Sequence, residues 1–113
     1  MSQRFRHDQL KNEIAHALVR LPQTRVWEIE PFRGRDEKGI YRNAGLRLPG
    51  ASAAGALDLL CVSQGRCFFF DVKTGLAKLS EDQRRFIKVV QAAQGYAGEC
   101  RAVEDAIKVV TNG

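Results

Sequence analysis

Cysteine is scarce and unpaired: Cys61, Cys67 and Cys100 form an odd set with no CxxC pair, which argues against a disulfide framework and against the common zinc motifs. All three lie in apolar, strand-like runs, where a free cysteine behaves as a small hydrophobe. Long apolar runs are missing as well. The charge-free stretch Leu48 to Leu57 is too short and too rich in Gly and Ala to cross a bilayer, which needs about 20 apolar residues. The first dozen residues carry Arg4, Arg6, His7, Asp8 and Lys11 with no apolar run behind them, so neither a membrane span nor a secretory signal is expected, and a cytoplasmic chain is the default. Gly50 to Gly55 lacks the GxxxxGK[ST] pattern of a phosphate loop. His7 and His16 have no spaced metal-ligand partner and read as surface residues. No repeat or low-complexity tract is present.

What is there is a chain of 113 residues, 44% hydrophobic and 27% charged, expected to form a single domain over 1–113 with a core that needs no staples. Eighteen Lys and Arg against thirteen Asp and Glu leave a formal charge of +5. This favours an anionic partner without naming it.

Apolar residues at Leu10, Ile14, Ala17, Leu18 and Leu21 have helical spacing, and they predict a first helix from Asp8 to Leu21 that Pro22 ends. Arg25 to Phe32 alternates Val26, Glu28 and Glu30 against Trp27, Ile29 and Pro31, as a strand with one wet face does. From Arg33 to Ala56 the chain reads as a long irregular loop, with Gly39 to Ala44 as a short strand at most. Leu57 to Val62 and Cys67 to Val72 read as neighbouring buried strands joined by a tight turn at Ser63-Gln64-Gly65-Arg66. Ser80 opens a helix as its cap, with Gln83 as capping-box partner, and Gly95 closes it. A last mixed strand over Tyr96 to Val103 and a short helix over Glu104 to Val110 complete the order α-β-β-β-α-β-α. An α/β fold with a mixed central β-sheet flanked by helices follows.

Phe68-Phe69-Phe70-Asp71-Val72-Lys73 places two charged side chains at the end of an otherwise apolar strand, where they must pair or bind something. Asp71 and Lys73 point the same way, about 6.6 Å apart along the strand, with room for a metal or a water between them. Pairing Val62 with Cys67 sets Asp58 opposite Asp71. Opposed carboxylates repel, and a divalent cation relieves them. Two carboxylates, a backbone carbonyl such as that of Val72, and waters make a hard oxygen site suited to Mg²⁺ or Mn²⁺. The same residues also allow a buried ion-pair network with no ligand. Glu13 lies beside the buried stripe of the first helix and either reaches inward as a third acid or sits solvated at its edge. Gln83 points toward the sheet, either as an accessory to the site or as a helix cap, since one side chain serves only one of these fully. Arg33, Arg35, Lys38, Arg42 and Arg47 form either a phosphate-contacting patch or a solvated loop diluted by Asp36 and Glu37.

Taken together, Gly55-Ala56-Leu57-Asp58, Phe70-Asp71-Val72-Lys73-Thr74-Gly75 and Leu79-Ser80-Glu81-Asp82-Gln83-Arg84-Arg85-Phe86 resemble the VRR-NUC branch of the PD-(D/E)xK nucleases. The resemblance spans roughly Lys11 to Asp105, and Glu13 matches the acid that family carries on its first helix. Leu57 stands where the family name has Pro, and Asp71 replaces the more frequent Glu. The resemblance implies a restriction-endonuclease-like core and Mg²⁺- or Mn²⁺-dependent hydrolysis of phosphodiester bonds in DNA. Glu13, Asp58 and Asp71 would be the metal-site acids, Glu13 through a water; Lys73 would orient or deprotonate the attacking water, and Gln83 would be accessory. It also implies a stand-alone enzyme of a prokaryotic or phage-infected cell acting on branched DNA such as Holliday junctions. A junction presents two symmetric strands, and a homodimer supplies two sites most simply. A non-catalytic nucleic-acid-binding module, or a restriction-type or single-strand nuclease, are the alternatives.

Overall fold

A computed structural model describes residues 3–29, 32–35, 41–44 and 57–112, with the backbone alone given for residues 3, 4, 32–35 and 41–44. The elements are α1 (Gln3–Val19), β1 (Thr24–Glu28), β2 (Phe32–Arg35), β3 (Tyr41–Ala44), β4 (Leu59–Ser63), β5 (Arg66–Val72), α2 (Glu81–Ala92), β6 (Tyr96–Cys100) and α3 (Val103–Asn112). The chain is α/β. A four-stranded mixed sheet runs in the order β1-β4-β5-β6, with β1–β4 and β4–β5 antiparallel and β5–β6 parallel.

All seven expected elements are present, with differences at their bounds: the strand expected over Arg25 to Phe32 ends at Glu28, and Phe32 begins β2, a separate strand. The first helix begins at Gln3, five residues before the expected start at Asp8, because Gln and Arg side chains sustain a helix without contributing to an apolar stripe. β3 falls within the short strand that Gly39 to Ala44 offers, and it pairs antiparallel with β2, a strand the sequence does not lead one to expect, in the register Arg33↔Asn43, Gly34↔Arg42 and Arg35↔Tyr41. Pairing there depends on backbone groups, and charged residues at alternate positions hide the apolar alternation by which strands are recognised. Residues 36–40 and 45–56 lie outside the described residues.

The β4–β5 turn follows the expected register, Val62↔Cys67 and Ser63↔Arg66. Gln64 (φ 51°) and Gly65 (φ 83°) both adopt the left-handed region, as a two-residue hairpin turn matched to strand twist demands. At the other edge Thr24 Oγ1 and Ser63 Oγ share a buried hydrogen bond of 2.7 Å, fixing the start of β1 against the end of β4. The second helix closes differently from expectation. Gln94 takes the left-handed turn (φ 66°), and Gly95 is needed for space, since a Cβ there would lie 2.9 Å from Val90 Cγ1.

Strand periodicity divides the core between the two faces of the sheet. Leu59, Cys61, Phe68, Phe70, Val72 and Cys100 face α1 and α3, packing on Ile14, Leu18, Ala106 and Val110. The other face carries Phe69 and Ala97 against Phe86, Ile87 and Val90 of α2, with Phe69 and Phe86 edge-to-face at 5.2 Å. Asp71 shares the parity of Phe69 and therefore sits on the α2 face. Burial pushes the Cys61 and Cys100 thiols up to about 11, which makes them inert. Cys67, expected to be packed like the others, is exposed.

Phe70→Ala is expected to lower stability by about 3–5 kcal/mol through the cavity it leaves in the α1–α3 core. Cys67→Ala on the same strand is expected to change it by less than about 0.5 kcal/mol. Urea unfolding of the two variants checks the contrast.

Candidate metal-acid site

The site forms where β4 begins and β5 ends. Asp58 lies one residue before β4, and its backbone carbonyl accepts from Ile29 N–H at 2.8 Å, tying it to the end of β1. Its carboxylate turns to the neighbouring strand, where Oδ2 accepts from Val72 N–H at 2.7 Å. The hairpin pairing follows the expected register as far as Leu59↔Phe70; Asp58 stands one residue before it, near enough to Asp71 for its carboxylate to disfavour the charged form there.

Asp71 is 1% exposed. Its Oδ1 accepts from Gln83 Nε2 at 2.9 Å. Its Oδ2 lies 3.0 Å from Lys73 Nζ in an ion pair, with no further hydrogen-bond partner. Lys73 thus meets Asp71 directly, closing the gap expected to hold a metal or water between them. Burial drives the Asp71 carboxyl from 3.8 up to about 6; the Lys73 ammonium opposes this and the nearby Asp58 carboxylate adds to it.

Gln83 overturns the expectation that it must choose one role. Its Oε1 accepts from Ser80 N–H at 2.8 Å while Ser80 Oγ accepts from Gln83 N–H at 3.1 Å, a complete capping box. The other end of the same amide donates to Asp71. An amide carries an acceptor and donors on separate atoms, so the cap orients the group that holds the acid.

Glu13 does not join this set. It is exposed and accepts from Gln9 Nε2 at 3.5 Å along its own helix. Among the described residues no three His, Cys, Asp or Glu side chains gather closely enough to hold a metal. His7 comes to the site instead, its Nε2 lying 3.3 Å from Asp58 Oδ2 and its Nδ1 3.5 Å from Asp8 Oδ1. The lack of a spaced metal-ligand partner makes it read as a surface residue in the sequence, where the helix is expected only from Asp8. Once α1 starts at Gln3, His7, Leu10 and Ile14 fall at i, i+3 and i+7 on one stripe, and that spacing is the signal that points His7 inward. Of the basic patch, Arg33 and Arg35 stand two positions apart on β2, and Arg42 on β3 pairs with Gly34. Lys38 and Arg47 lie outside the described residues.

The arrangement offers a hard-oxygen pair from Asp58 and Asp71, one of them held above its ordinary titration range, with an ammonium beside it. A buried carboxylate oxygen with no partner beyond the Lys73 ammonium and a repelling carboxylate neighbour fit a divalent cation, which often takes only one or two protein carboxylates and fills its remaining positions with water and phosphate oxygens. Comparison of the chain with protein-family models, curated proteins and solved structures finds no match.

Because folding raises the Asp71 pKa, the folded protein binds a proton more readily than the unfolded chain between about pH 4 and 6. Metal-free stability is therefore expected to fall as pH rises through that window. Asp71→Asn is expected to remove this dependence and to raise stability at pH 7 by up to about 3 kcal/mol. Urea titrations at pH 4 and 7 in the presence of a chelator measure it.

Proposed function

We propose that the chain is a metal-dependent DNA endonuclease that hydrolyses phosphodiester bonds, with branched DNA such as a four-way junction as substrate. The observation that carries the reading is the convergence of Asp58, Asp71 and Lys73 at adjoining strand ends, with the Asp71 carboxylate desolvated and one of its oxygens left with no partner beyond the Lys73 ammonium. The resemblance of the motifs around these residues to VRR-NUC nucleases supports it. Asp58, Asp71 and the Val72 carbonyl would hold Mg²⁺ or Mn²⁺, which polarises the phosphate and acidifies bound water. The remaining roles belong to the chain itself. The Lys73 ammonium, 15% exposed and anchored by Asp71, is placed to hold a phosphate oxygen and to stabilise the charge that grows on it as water attacks phosphorus. Gln83 fixes the Asp71 carboxylate through Oδ1, while Oδ2 faces the Lys73 ammonium at 3.0 Å. The basic residues Arg33, Arg35, Lys38, Arg42 and Arg47 would supply backbone-phosphate contacts. Two copies of the chain as a homodimer would serve the two strands of a junction.

Purified protein is expected to nick four-way junctions in Mg²⁺ or Mn²⁺ and to be inert in EDTA. Asp71→Asn and Lys73→Met are expected to lower the rate by about 10²–10³-fold with the fold retained. Comparing four-way, flap, linear duplex and single-stranded DNA tests the substrate, and undiminished cutting by both variants would overturn the reading.

Gln83→Glu separates the two roles of that side chain. Glu in a capping box keeps the bond to Ser80 N–H but turns a carboxylate toward Asp71. Helix content is therefore expected to stay close to wild type, while the thermal midpoint falls through the lost bond to Asp71 and the cleavage rate drops by about tenfold or more. A second reading, a nucleic-acid-binding module without catalysis, is favoured by one observation, the position of Glu13 away from the other acids. It predicts salt-sensitive DNA binding with no metal dependence.

A further inference from the structure

The segment 73–80, which joins β5 to α2, leaves from the site and returns to it. Lys73 lies 3.0 Å from Asp71 Oδ2 at its start, and Gln83 lies 2.9 Å from Asp71 Oδ1 just past its end. Its tip is therefore tied to the acids. Leu76 is five residues from Asp71, so the chain can carry it no more than about 17 Å away, about five base-pair steps along a duplex.

Leu76 is 95% exposed, against 53% for Phe5 and Trp27, the next most exposed large hydrophobics among the described residues. One apolar side chain in solvent is ordinary. The backbone that carries it is not. Ala77 N–H donates to the Thr74 carbonyl at 3.2 Å, closing a turn around Gly75 (φ 57°) and Leu76. The Arg101 guanidinium then grips that turn on both sides of Leu76, donating from Nη1 to the Gly75 carbonyl at 3.0 Å and from Nη2 to the Ala77 carbonyl. Arg101 is itself held, through Nε by Glu99 and through its backbone N–H by Asp105 Oδ2 at 3.0 Å. Ordering a turn opposes chain entropy, and burial of Leu76 returns nothing to offset it in the free protein. The clamp reaches from β6 and the start of α3 to hold a hydrophobic tip in water, beside the exposed Lys78.

We propose that Leu76 is an apolar wedge that enters the base stack of DNA where stacking is already broken, at the branch point, and so sets which phosphodiester reaches Asp58 and Asp71. This rests on the nuclease reading and adds to it the means of recognising the branch. Apolar side chains inserted between base steps must unstack them. An interrupted stack spares most of that cost, so the same leucine discriminates a branch from a continuous duplex without reading sequence. The exposed Lys78, two residues on, would add a contact to the adjoining phosphates.

The test is a four-way junction carrying 2-aminopurine beside the branch point, titrated with the full chain in Ca²⁺ in place of Mg²⁺. Wild type is expected to raise the 2-aminopurine fluorescence on binding. Leu76→Ser is expected to abolish that rise and to weaken junction binding by about tenfold, roughly 1.4 kcal/mol, with linear-duplex binding and thermal midpoint unchanged; Leu76→Phe is expected to restore both. Equal affinity and equal fluorescence for wild type and Leu76→Ser overturn the wedge alone. Equal loss on junction and linear duplex also overturns it, as a general contact. A wild-type protein that binds no DNA overturns the wedge together with the nuclease reading.

Discussion

A carboxylate with 1% exposure in the interior of a sheet is the constraint from which the rest of the site follows. Asp71 stands on β5, a strand flanked on both sides by β4 and β6, and on the face covered by α2, so water cannot solvate it. Each neighbour answers part of that need. Gln83 bonds one oxygen, Lys73 brings its charge to the other, and Asp58 aggravates the problem from the adjoining strand. Burial wins over the ammonium, and the carboxyl ends near 6 instead of the ordinary 3.8.

The groups that hold Asp71 are in turn held by parts of the fold remote from it in sequence. Ser80 fixes one end of the Gln83 amide so that the other end meets the acid, which makes the cap of α2 part of the site. Val72 donates its N–H to Asp58, so the strand that carries Asp71 also positions the opposing carboxylate. Lys73 N–H bonds the Cys100 carbonyl at 3.0 Å, and one residue beyond Cys100 Arg101 clamps the loop that follows Lys73. Strand β6, joined in parallel to β5, thereby anchors both the lysine and the loop beyond it. An arrangement that costs stability at its centre is typical of a site kept for use, with the surrounding packing over-determining its geometry.

Much of this was legible in the residues. The hairpin register was legible from Gly65 and the apolar runs on either side, and it brings Asp58 and Asp71 to the same end of the hairpin. The unusual Asp-x-Lys at the end of a triple-Phe strand marked the site, and Ser80 with Gln83 marked the start of α2. Three features were not legible. Charged alternation masked β2, whereas β3 falls within the short strand that Gly39 to Ala44 offers. The apolar stripe of α1 gave its buried face but not its first turn, and His7, without a spaced metal-ligand partner, reads from the sequence as a surface residue. Glu13, adjacent in sequence to the fully buried Ile14, lies on the exposed side because one helical step is a rotation of about 100°; an edge position on a stripe does not choose between inside and outside.

The sequence by itself determined the periodicities: which strands alternate, which helices carry one apolar face, where the tight turn falls, and that two acids and a lysine share the end of a buried hairpin. These are local properties, set by spacing and by the conformations Gly, Pro and Ser allow. The tertiary structure alone decided which distant groups meet them. His7 against Asp58, the Gln83 amide shared between Ser80 and Asp71, and Arg101 clasping the turn beneath Leu76 all join elements that local spacing does not relate, because their meeting depends on how α1, α2 and β6 pack on the sheet.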